Sequence, residues 1–382
     1  MSTINRDIAK SFGKAAVDDT ISSTGTITTT GGGISVSVNT TVTDEGDVAT
    51  ADTTGLEDGQ LVFFPALNKC YFYNTENTGL AKFSESQMLA AGQHFAKSFL
   101  YFIGGYGPSY VYDVDRIPIA SDANATDIGN VNEAGYNVGS YESELAGYIA
   151  GSGFGDTDRI RKWVYASGSS PSPGVANLSV SKQQMASSTS PTHGYTAGGF
   201  PNRNQIDKFN FSTEANATDV GDLTQTRVGA AGSESATHGY AAGGKNNPGT
   251  TRYNIIDKYA FATDGNATDV GDIGQAIGGA TGFSSDVHGF HTGGDRGPQR
   301  TNITYKFPFA SDANATQGTN LGTSSELKSG SGSHFSGYVG GGSPGPSYTN
   351  QIAKYNHTGA DDTTTDVGDL TASKYGVGAV AD

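Results

Sequence analysis

The sequence predicts an all-β protein whose repeats close into a β-propeller. Glycine is unfavourable inside helices but serves tight turns, so 55 glycines beside 12 prolines in 382 residues favour many short strands joined by many turns. A glycine-rich phrase recurs every 45 to 50 residues. Each period contains four candidate strands, the number found in a propeller blade.

The recurring phrase joins an aromatic residue to a glycine doublet. It is written HGYTAGG, HGYAAGG, HGFHTGG and SGYVGGG in the second half of the chain, and FLYFIGG and AGYIAGS earlier. Its aromatic residues are Tyr101, Tyr148, Tyr195, Tyr240, Phe290 and Tyr338. A variable loop follows each copy, then an apolar strand with a cation, then a turn and a phrase such as NATDVGD. In the apolar strand Phe209 and Phe211 are two apart, the spacing of a half-buried strand.

The cation of the apolar strand sets the predicted number of blades. The aligned cations are Arg116, Lys162, Lys208, Lys258, Lys306 and Lys354, and Lys69 lies one period earlier. Residues 59–83 are therefore interpreted as a seventh, degenerate blade that lacks its first strand. Residues 374–382, KYGVGAVAD, supply a further copy of a first strand, predicted to pair near Leu61 and Phe63. Seven blades are favoured, with six as the alternative, and the C-terminal strand closes the ring.

Residues 1–55 do not fit the repeat and are predicted to form an anchor. Ile4, Ile8 and Phe12 recur at helical spacing, which predicts a short helix that needs a partner for stability. A Ser/Thr/Gly-rich stretch follows, in which the even spacing of Val36 and Val38 predicts a strand. This segment is either a tail packed on the propeller or an anchor inserted into an assembly. Residues 56–382 form the predicted propeller.

Charge and composition weigh against several classes of function. The chain has 23 Lys and Arg against 38 Asp and Glu, and a net charge of −15 repels nucleic acid and anionic lipid surfaces. No signal peptide or membrane-spanning stretch is predicted. The single cysteine, Cys70, excludes an internal disulfide and a cysteine-cluster metal site.

No catalytic, cofactor-binding or metal-binding residue is predicted. His193, His238 and His288 occupy the same position in successive repeats, so each is expected in its own blade with a structural role. The acidic loops 213–222 and 263–272 resemble calcium loops in their oxygen-bearing residues, but they lack EF-hand spacing and are interpreted as Asx turns. The Asn-Ala-Thr phrases at 124, 216, 266 and 314 are attributed to the repeat. Lys208 and its counterparts are expected to form salt bridges to neighbouring blades instead of a cationic ring.

The order of an Arg with small residues, an aromatic, a glycine doublet, apolar-Asp-Lys-aromatic and DVGDL resembles the kelch repeat, which implies a kelch-like propeller. The phrases HGYxAGG, IDKF and NATDVGDL are also similar to tandem repeats in virion structural proteins of marine bacteriophages. This resemblance implies a non-enzymatic virion protein, made in the host cytoplasm and homo-oligomeric in the particle. Its anchor would dock to other virion proteins of a tail, collar or capsid, and its loops would bind a host-surface glycan or protein. The alternative is a cellular kelch-like interaction scaffold.

Overall fold

The computed structural model divides the chain into two compact units, Met1–Ala96 and Lys97–Asp382. In the second unit it describes residues 97–119, 121–133, 135–153, 158–170, 174–332, 336–357 and 363–382, and in the first unit it describes five strands. The unit boundary therefore lies after residue 96, whereas the sequence suggested residue 55. Within the described residues, no helix has the length and apolar character needed to span a membrane.

The first unit contains one five-stranded sheet. Its strands lie in the order β1 (Thr26–Ile27), β2 (Val36–Val38), β3 (Leu61–Phe64), β4 (Lys69–Asn74) and β5 (Gly79–Lys82), with only β2 and β3 parallel. Val36 and Val38 thus lie in a strand, as predicted. The helix predicted around Ile4, Ile8 and Phe12 lies outside the described residues.

The second unit is a six-bladed β-propeller of four-stranded antiparallel sheets. Blade 1 contains β6 (Phe99–Ile103), β7 (Asp113–Pro118) and β8 (Thr126–Asn130). Blade 2 contains β9 (Gly139–Glu142), β10 (Ala146–Ala150), β11 (Arg159–Val164) and β12 (Ala176–Asn177). Blade 3 contains β13 (Ala186–Thr189), β14 (His193–Gly199), β15 (Arg203–Asn210) and β16 (Thr218–Asp222).

The remaining blades repeat this order from the axis outwards. Blade 4 contains β17 (Ala231–Glu234), β18 (His238–Ala242), β19 (Ile255–Ala260) and β20 (Thr268–Asp272). Blade 5 contains β21 (Thr281–Ser284), β22 (His288–Thr292), β23 (Thr304–Pro308) and β24 (Thr316–Gln317). Blade 6 contains β25 (Ser329–Gly332), β26 (Ser336–Gly340), β27 (Gln351–Asn356) and β28 (Thr363–Asp369). The last strand, β29 (Gly378–Ala381), returns to blade 1.

The predicted seventh blade is wrong. Residues 59–83 supply β3, β4 and β5, which pair with one another and with β2 in the first unit. The C-terminal strand does close the ring, but on β6, where Val380 pairs with Tyr101, instead of near Leu61 and Phe63. Lys69 follows the repeat spacing, yet a single cation in phase does not supply the glycine doublet and the innermost strand that a blade requires.

The repeated aromatic residue joins each blade to the next. Tyr148 of β10 stacks on Phe211 of blade 3, with ring centroids 5.2 Å apart. Equivalent stacks join Tyr195 to Phe261 at 4.8 Å and Tyr240 to Phe309 at 5.0 Å. These aromatic residues bury large apolar surfaces between the sheets, which accounts for their recurrence in the sequence.

A closed ring of six backbone hydrogen bonds, here called the axial ring, surrounds the propeller axis. Each blade contributes the residue two positions before its innermost strand, and its N–H donates to the carbonyl oxygen of the equivalent residue in an adjacent blade at 2.7 to 3.0 Å. All six residues are left-handed, with φ between 55° and 66°. They are Asn137, Gln184, Gly229, Gly279, Leu327 and Gly376.

Candidate functional site

One end of the propeller, here called the loop face, carries the variable loops. It is formed by the loops after the glycine doublets and by the connectors that lead into the innermost strands. Backbone hydrogen bonds fix the start of these loops: the N–H of Gly199 donates to the Arg227 carbonyl, and that of Gly244 to the Ile277 carbonyl, each at 2.8 Å. Both acceptors belong to the next blade, so each loop starts from a backbone that two blades hold in place.

Five tyrosines form a cluster on the loop face, where blades 6, 1 and 2 meet. Tyr106 occupies its centre, with ring centroids 5.2 Å from Tyr110, 5.4 Å from Tyr136, 5.7 Å from Tyr375 and 6.3 Å from Tyr348. All five side chains are partly exposed. The tyrosine cluster is therefore a surface feature of the face and not part of a blade core.

The backbone holds the tyrosine cluster in place. Tyr106 and Tyr375 exchange two backbone hydrogen bonds, of 3.0 and 2.9 Å, across neighbouring segments of blade 1. Burial and the adjacent tyrosines raise the pKa of Tyr375 to about 12, and the same causes raise the pKa of Tyr136. The hydroxyl groups of both residues are therefore protonated at neutral pH and can donate hydrogen bonds to a ligand.

A network of opposite charges covers the loop face on blades 4, 5 and 6. Lys245 Nζ lies 2.8 Å from Asp295 Oδ2 and 3.8 Å from Glu326 Oε2. Arg252 also pairs with Asp295, and Arg300 lies 2.8 Å from Glu326. Asp295 is partly desolvated, but its hydrogen bonds to Lys245 and Arg252 outweigh burial and lower its pKa. Three cations thus meet two carboxylates, so this network is nearly neutral.

A cleft of about 350 Å³ lies between the loops of blades 3 and 4. Its lining includes the amides of Gln183, Gln184 and Asn247, the exposed ring of Phe200 and the buried side chain of Val228. The loops that form it are joined, because Asn202 Nδ2 donates to the Asn247 carbonyl at 2.9 Å and Asn202 Oδ1 accepts from the Asn247 N–H at 2.6 Å.

Sequence reasoning found neither the cleft nor the tyrosine cluster. The phrase GPSY, present at 107–110 and 345–348, was the available signal for the cluster.

The structure places the three repeated histidines in separate blades, each at the start of a second strand. The Nδ1 atom of His193 lies 2.8 Å from Thr192 Oγ1, and its Nε2 lies 3.0 Å from Asn210 Nδ2. His238 repeats the contact with Thr237 Oγ1 at 2.8 Å. Within the described part of the chain, no group of three or more His, Cys, Asp or Glu residues is arranged to hold a metal ion.

The Asn-Ala-Thr phrases link the outer strands of adjacent blades. Asn266 Oδ1 accepts a hydrogen bond of 3.0 Å from the N–H of Asp222, and Asn314 Oδ1 accepts one of 2.9 Å from Asp272. Asn216 and Asn124 make the same contact with blades 2 and 6 at 3.0 and 3.1 Å. In the acidic phrase of blade 3, Asp219 accepts from the N–H of Gly221 at 3.2 Å, as in an Asx turn.

Four of the seven aligned cations form the predicted salt bridge to the neighbouring blade. Each uses an acid in the turn between the third and fourth strands of the next blade, and not the DVGD carboxylates. The pairs are Lys162–Glu214 at 2.5 Å, Lys208–Asp264 at 2.8 Å, Lys258–Asp312 at 2.8 Å and Lys354–Asp122 at 3.1 Å. These acids are partly exposed, so each pair contributes at most about 1 kcal/mol of stability.

Three aspartates that directly precede Arg116, Lys208 and Lys258 in the third strands are buried and form fully buried ion pairs. They are Lys182–Asp207 at 3.3 Å, Arg227–Asp257 at 2.9 Å and Lys374–Asp115 at 3.0 Å. A threonine also supports Asp257, since Thr224 Oγ1 donates to it at 2.7 Å. Blade 6 has Ser325 and Ala353 at the positions of Arg227 and Asp257, so cation and carboxylate are absent together.

No protein-family model matches the chain, and no curated protein matches its sequence. Among solved structures, the fold is similar to one described as "Structure of YjhT", with a TM-score of 0.57 and 11% sequence identity. The similarity covers 72% of this chain and 99% of that chain. At this identity the likeness concerns the fold alone, and this chain shares with that protein the architecture of a β-propeller.

Proposed function

We propose that this chain is a non-enzymatic structural protein of a bacteriophage virion, which binds a host surface through its loop face. In this proposal residues 1–55 dock to other virion proteins in a tail, collar or capsid, and the chain is homo-oligomeric in the particle. The observation that carries the binding role is the contrast between a repeated scaffold and a loop face that differs from blade to blade.

The contrast is clearest at the residue that follows the glycine doublet. Many blade-to-blade contacts recur with the same residue types, such as Tyr195 with Phe261 and Asn266 with Asp222. The position after the doublet is instead aromatic, cationic, anionic or hydroxylic in different blades: Tyr106, Phe200, Lys245, Asp295 and Ser343. Divergent loops on a rigid scaffold are typical of recognition surfaces.

The tyrosine cluster supports the same role. Tyrosine offers a large, nearly rigid ring with a polar tip, and it is enriched among the residues that dominate binding energy at interfaces. The five partly exposed rings together give the loop face a surface that is both apolar and able to donate hydrogen bonds. A glycan or a protein of the host surface would cover them.

The virion part of the proposal rests on the wording of the repeats, which is similar to that of virion proteins of marine bacteriophages. The alternative, a cellular kelch-like interaction scaffold, would use the same loop face for a protein inside the cell. The two proposals differ in where the chain is found. Mass spectrometry of purified particles should detect the chain if it is a virion protein.

Deletion of residues 1–50 tests the anchor. The deleted chain should fold, because the propeller begins at Lys97, but it should no longer join the particle. A deleted chain that still joins the particle would show that attachment lies elsewhere, and absence of the intact chain from particles would favour the cellular scaffold.

Host-cell binding tests the loop face. Replacing Tyr110 and Tyr348 by alanine should reduce binding of the full chain to host cells at least tenfold, because each ring contributes more than about 1 kcal/mol at an interface. Tyr112→Ala is the matched control, since Tyr112 is 43% exposed in the same loop but has no ring contact with the cluster. If the double variant and Tyr112→Ala lose the same amount of host-cell binding, or if neither loses any, the result would contradict a role for the cluster.

A further inference from the structure

We propose that the cleft between blades 3 and 4 is a binding subsite for a neutral sugar residue of a surface glycan. The inference rests on the proposed adhesive function for its biological role and names the class of ligand. It is carried by the volume, the lining and the charge of the cleft.

The lining of the cleft has the chemistry that a sugar requires. Its volume of about 350 Å³ falls in the range of small-molecule sites. Phe200 is 39% exposed and presents an apolar ring on which the C–H face of a pyranose can pack. Side-chain amides both donate and accept, as neighbouring sugar hydroxyls do. Within the described residues, the side-chain amides of Gln184 and Asn247 make no hydrogen bond that would occupy them.

The charge at the cleft favours a neutral ligand over an anionic one. Lys245 and Arg252 lie on its lining, but both are bound to Asp295, whose side chain is only 5% exposed. An anion would have to compete with this carboxylate for the same two cations. A neutral polyol has no such competitor and can use the amides directly.

The backbone of Gln184, at the edge of the cleft, is in the left-handed conformation. Its φ is 55°, in the axial ring where the equivalent residues of blades 4, 5 and 1 are Gly229, Gly279 and Gly376. A left-handed conformation is unfavourable for a residue other than glycine. The side chain of Gln184 lies on the lining of the cleft, so a change to glycine would remove this amide from the cleft and keep the backbone of the ring.

Gln184→Gly separates binding from folding. Titration calorimetry of the purified full chain would use the strongest ligand from a panel of short gluco-, galacto- and manno-oligosaccharides, with uronic-acid oligosaccharides as charged counterparts. We expect neutral sugars to bind, and their affinity to fall at least tenfold in Gln184→Gly and in Phe200→Ala. The melting temperature of Gln184→Gly should stay the same or rise, because glycine relieves the left-handed backbone.

Leu327→Gly is the matched control, because Leu327 has the same φ of 55° in the axial ring but does not line the cleft. It should relieve the same backbone conformation and leave affinity unchanged. Equal affinity in Gln184→Gly and the parent, a preference for uronic acids, or no neutral binding at about 10 mM would each overturn the inference. Those results would leave host binding through the tyrosine cluster intact, whereas a chain that binds neutral sugars but not host cells would contradict the proposed function alone.

Discussion

The N–H of Asn137 donates a hydrogen bond of 2.7 Å to the carbonyl oxygen of Gly376. This contact joins the connector of blade 2 to the C-terminal segment that completes blade 1, and so it closes the axial ring. Every member of the ring donates to one neighbour and accepts from the other. Removing one member would leave a donor and an acceptor without a partner, which costs about 1–3 kcal/mol for each buried group.

Deleting residues 374–382 should leave the chain insoluble or without a cooperative unfolding transition. The deletion removes β29, exposes the edge of β6 and leaves Asp115 buried without Lys374. The lost burial of Val377 and Val380 alone amounts to roughly 3 kcal/mol. Soluble yield and thermal melting followed by circular dichroism measure the effect, and a truncated protein that melts within a few degrees of the parent would contradict closure by this strand.

The buried pair Arg227–Asp257 should behave as a coupled unit. Arg227→Ser or Asp257→Ala alone leaves one buried charge, and each should lower the free energy of unfolding by about 3–5 kcal/mol. The double variant reproduces Ser325 and Ala353 of blade 6, and it should be less destabilised than the sum of the two by at least about 2 kcal/mol. Urea denaturation of the four proteins measures this coupling, and additive losses would argue against it.

His291 should make the propeller sensitive to mild acid. Its ring is fully buried, neither nitrogen has a hydrogen-bond partner among the described residues, and burial lowers its pKa to about 4. Between pH 6.5 and 4 the unfolded chain binds a proton that the folded chain excludes, so stability falls as the pH falls, by up to about 3 kcal/mol.

His291→Val tests this effect, because blade 6 has Val339 at the equivalent buried position. Comparing chemical denaturation at pH 7 and about pH 4.5 should show that the variant loses less stability than the parent. His238→Asn alters a partly exposed histidine that contacts Thr237, and it should restore much less of the stability lost at pH 4.5. The same pH dependence in His291→Val and the parent would exclude His291 as the cause.

Chelation should leave the fold unchanged. The acidic phrases connect blades through their asparagines, and the described residues contain no group of three or more His, Cys, Asp or Glu arranged for a metal. EDTA should therefore shift the melting temperature by no more than about 2 °C. Emptying a well-occupied metal site would instead remove several kcal/mol of the stabilisation that metal binding gives the folded state. A larger drop that calcium reverses would establish a calcium site.

The sequence predicted the features that depend on residues recurring at a fixed spacing within the repeat. Tyr148 and Phe211 recur in phase with the other blade aromatics, so the sheets and their packing follow from spacing alone. The strand formed by 378–381 was recognised because it copies other first strands. Its partner was not, because Leu61 and Phe99 both begin plausible strands and only three-dimensional closure selects β6.

The repeated GPSY marks Tyr110 and Tyr348 in the sequence, but the grouping of residues on the loop face could not be predicted, for a related reason. Tyr106 meets Tyr348 and Tyr375 only because the ring brings blades 6 and 1 together. In the sequence these tyrosines lie in loops of different length, with no common spacing. The cleft likewise forms only when the blades lie side by side, because Gln184 and Asn247 in its lining belong to different blades.

The pairing of β6 with the C-terminal strand β29 in blade 1 also determines the order in which the propeller is completed during synthesis. β6 leaves the ribosome among the first strands of the propeller, whereas its inner partner β29 follows only after the other five blades. Until then the edge of β6 that later binds β29 has no partner, and an open edge invites pairing with another nascent chain. Blades 2 to 5 can assemble while the chain emerges, but the circle is completed last, by a contact between distant parts of the sequence, which is slow to form.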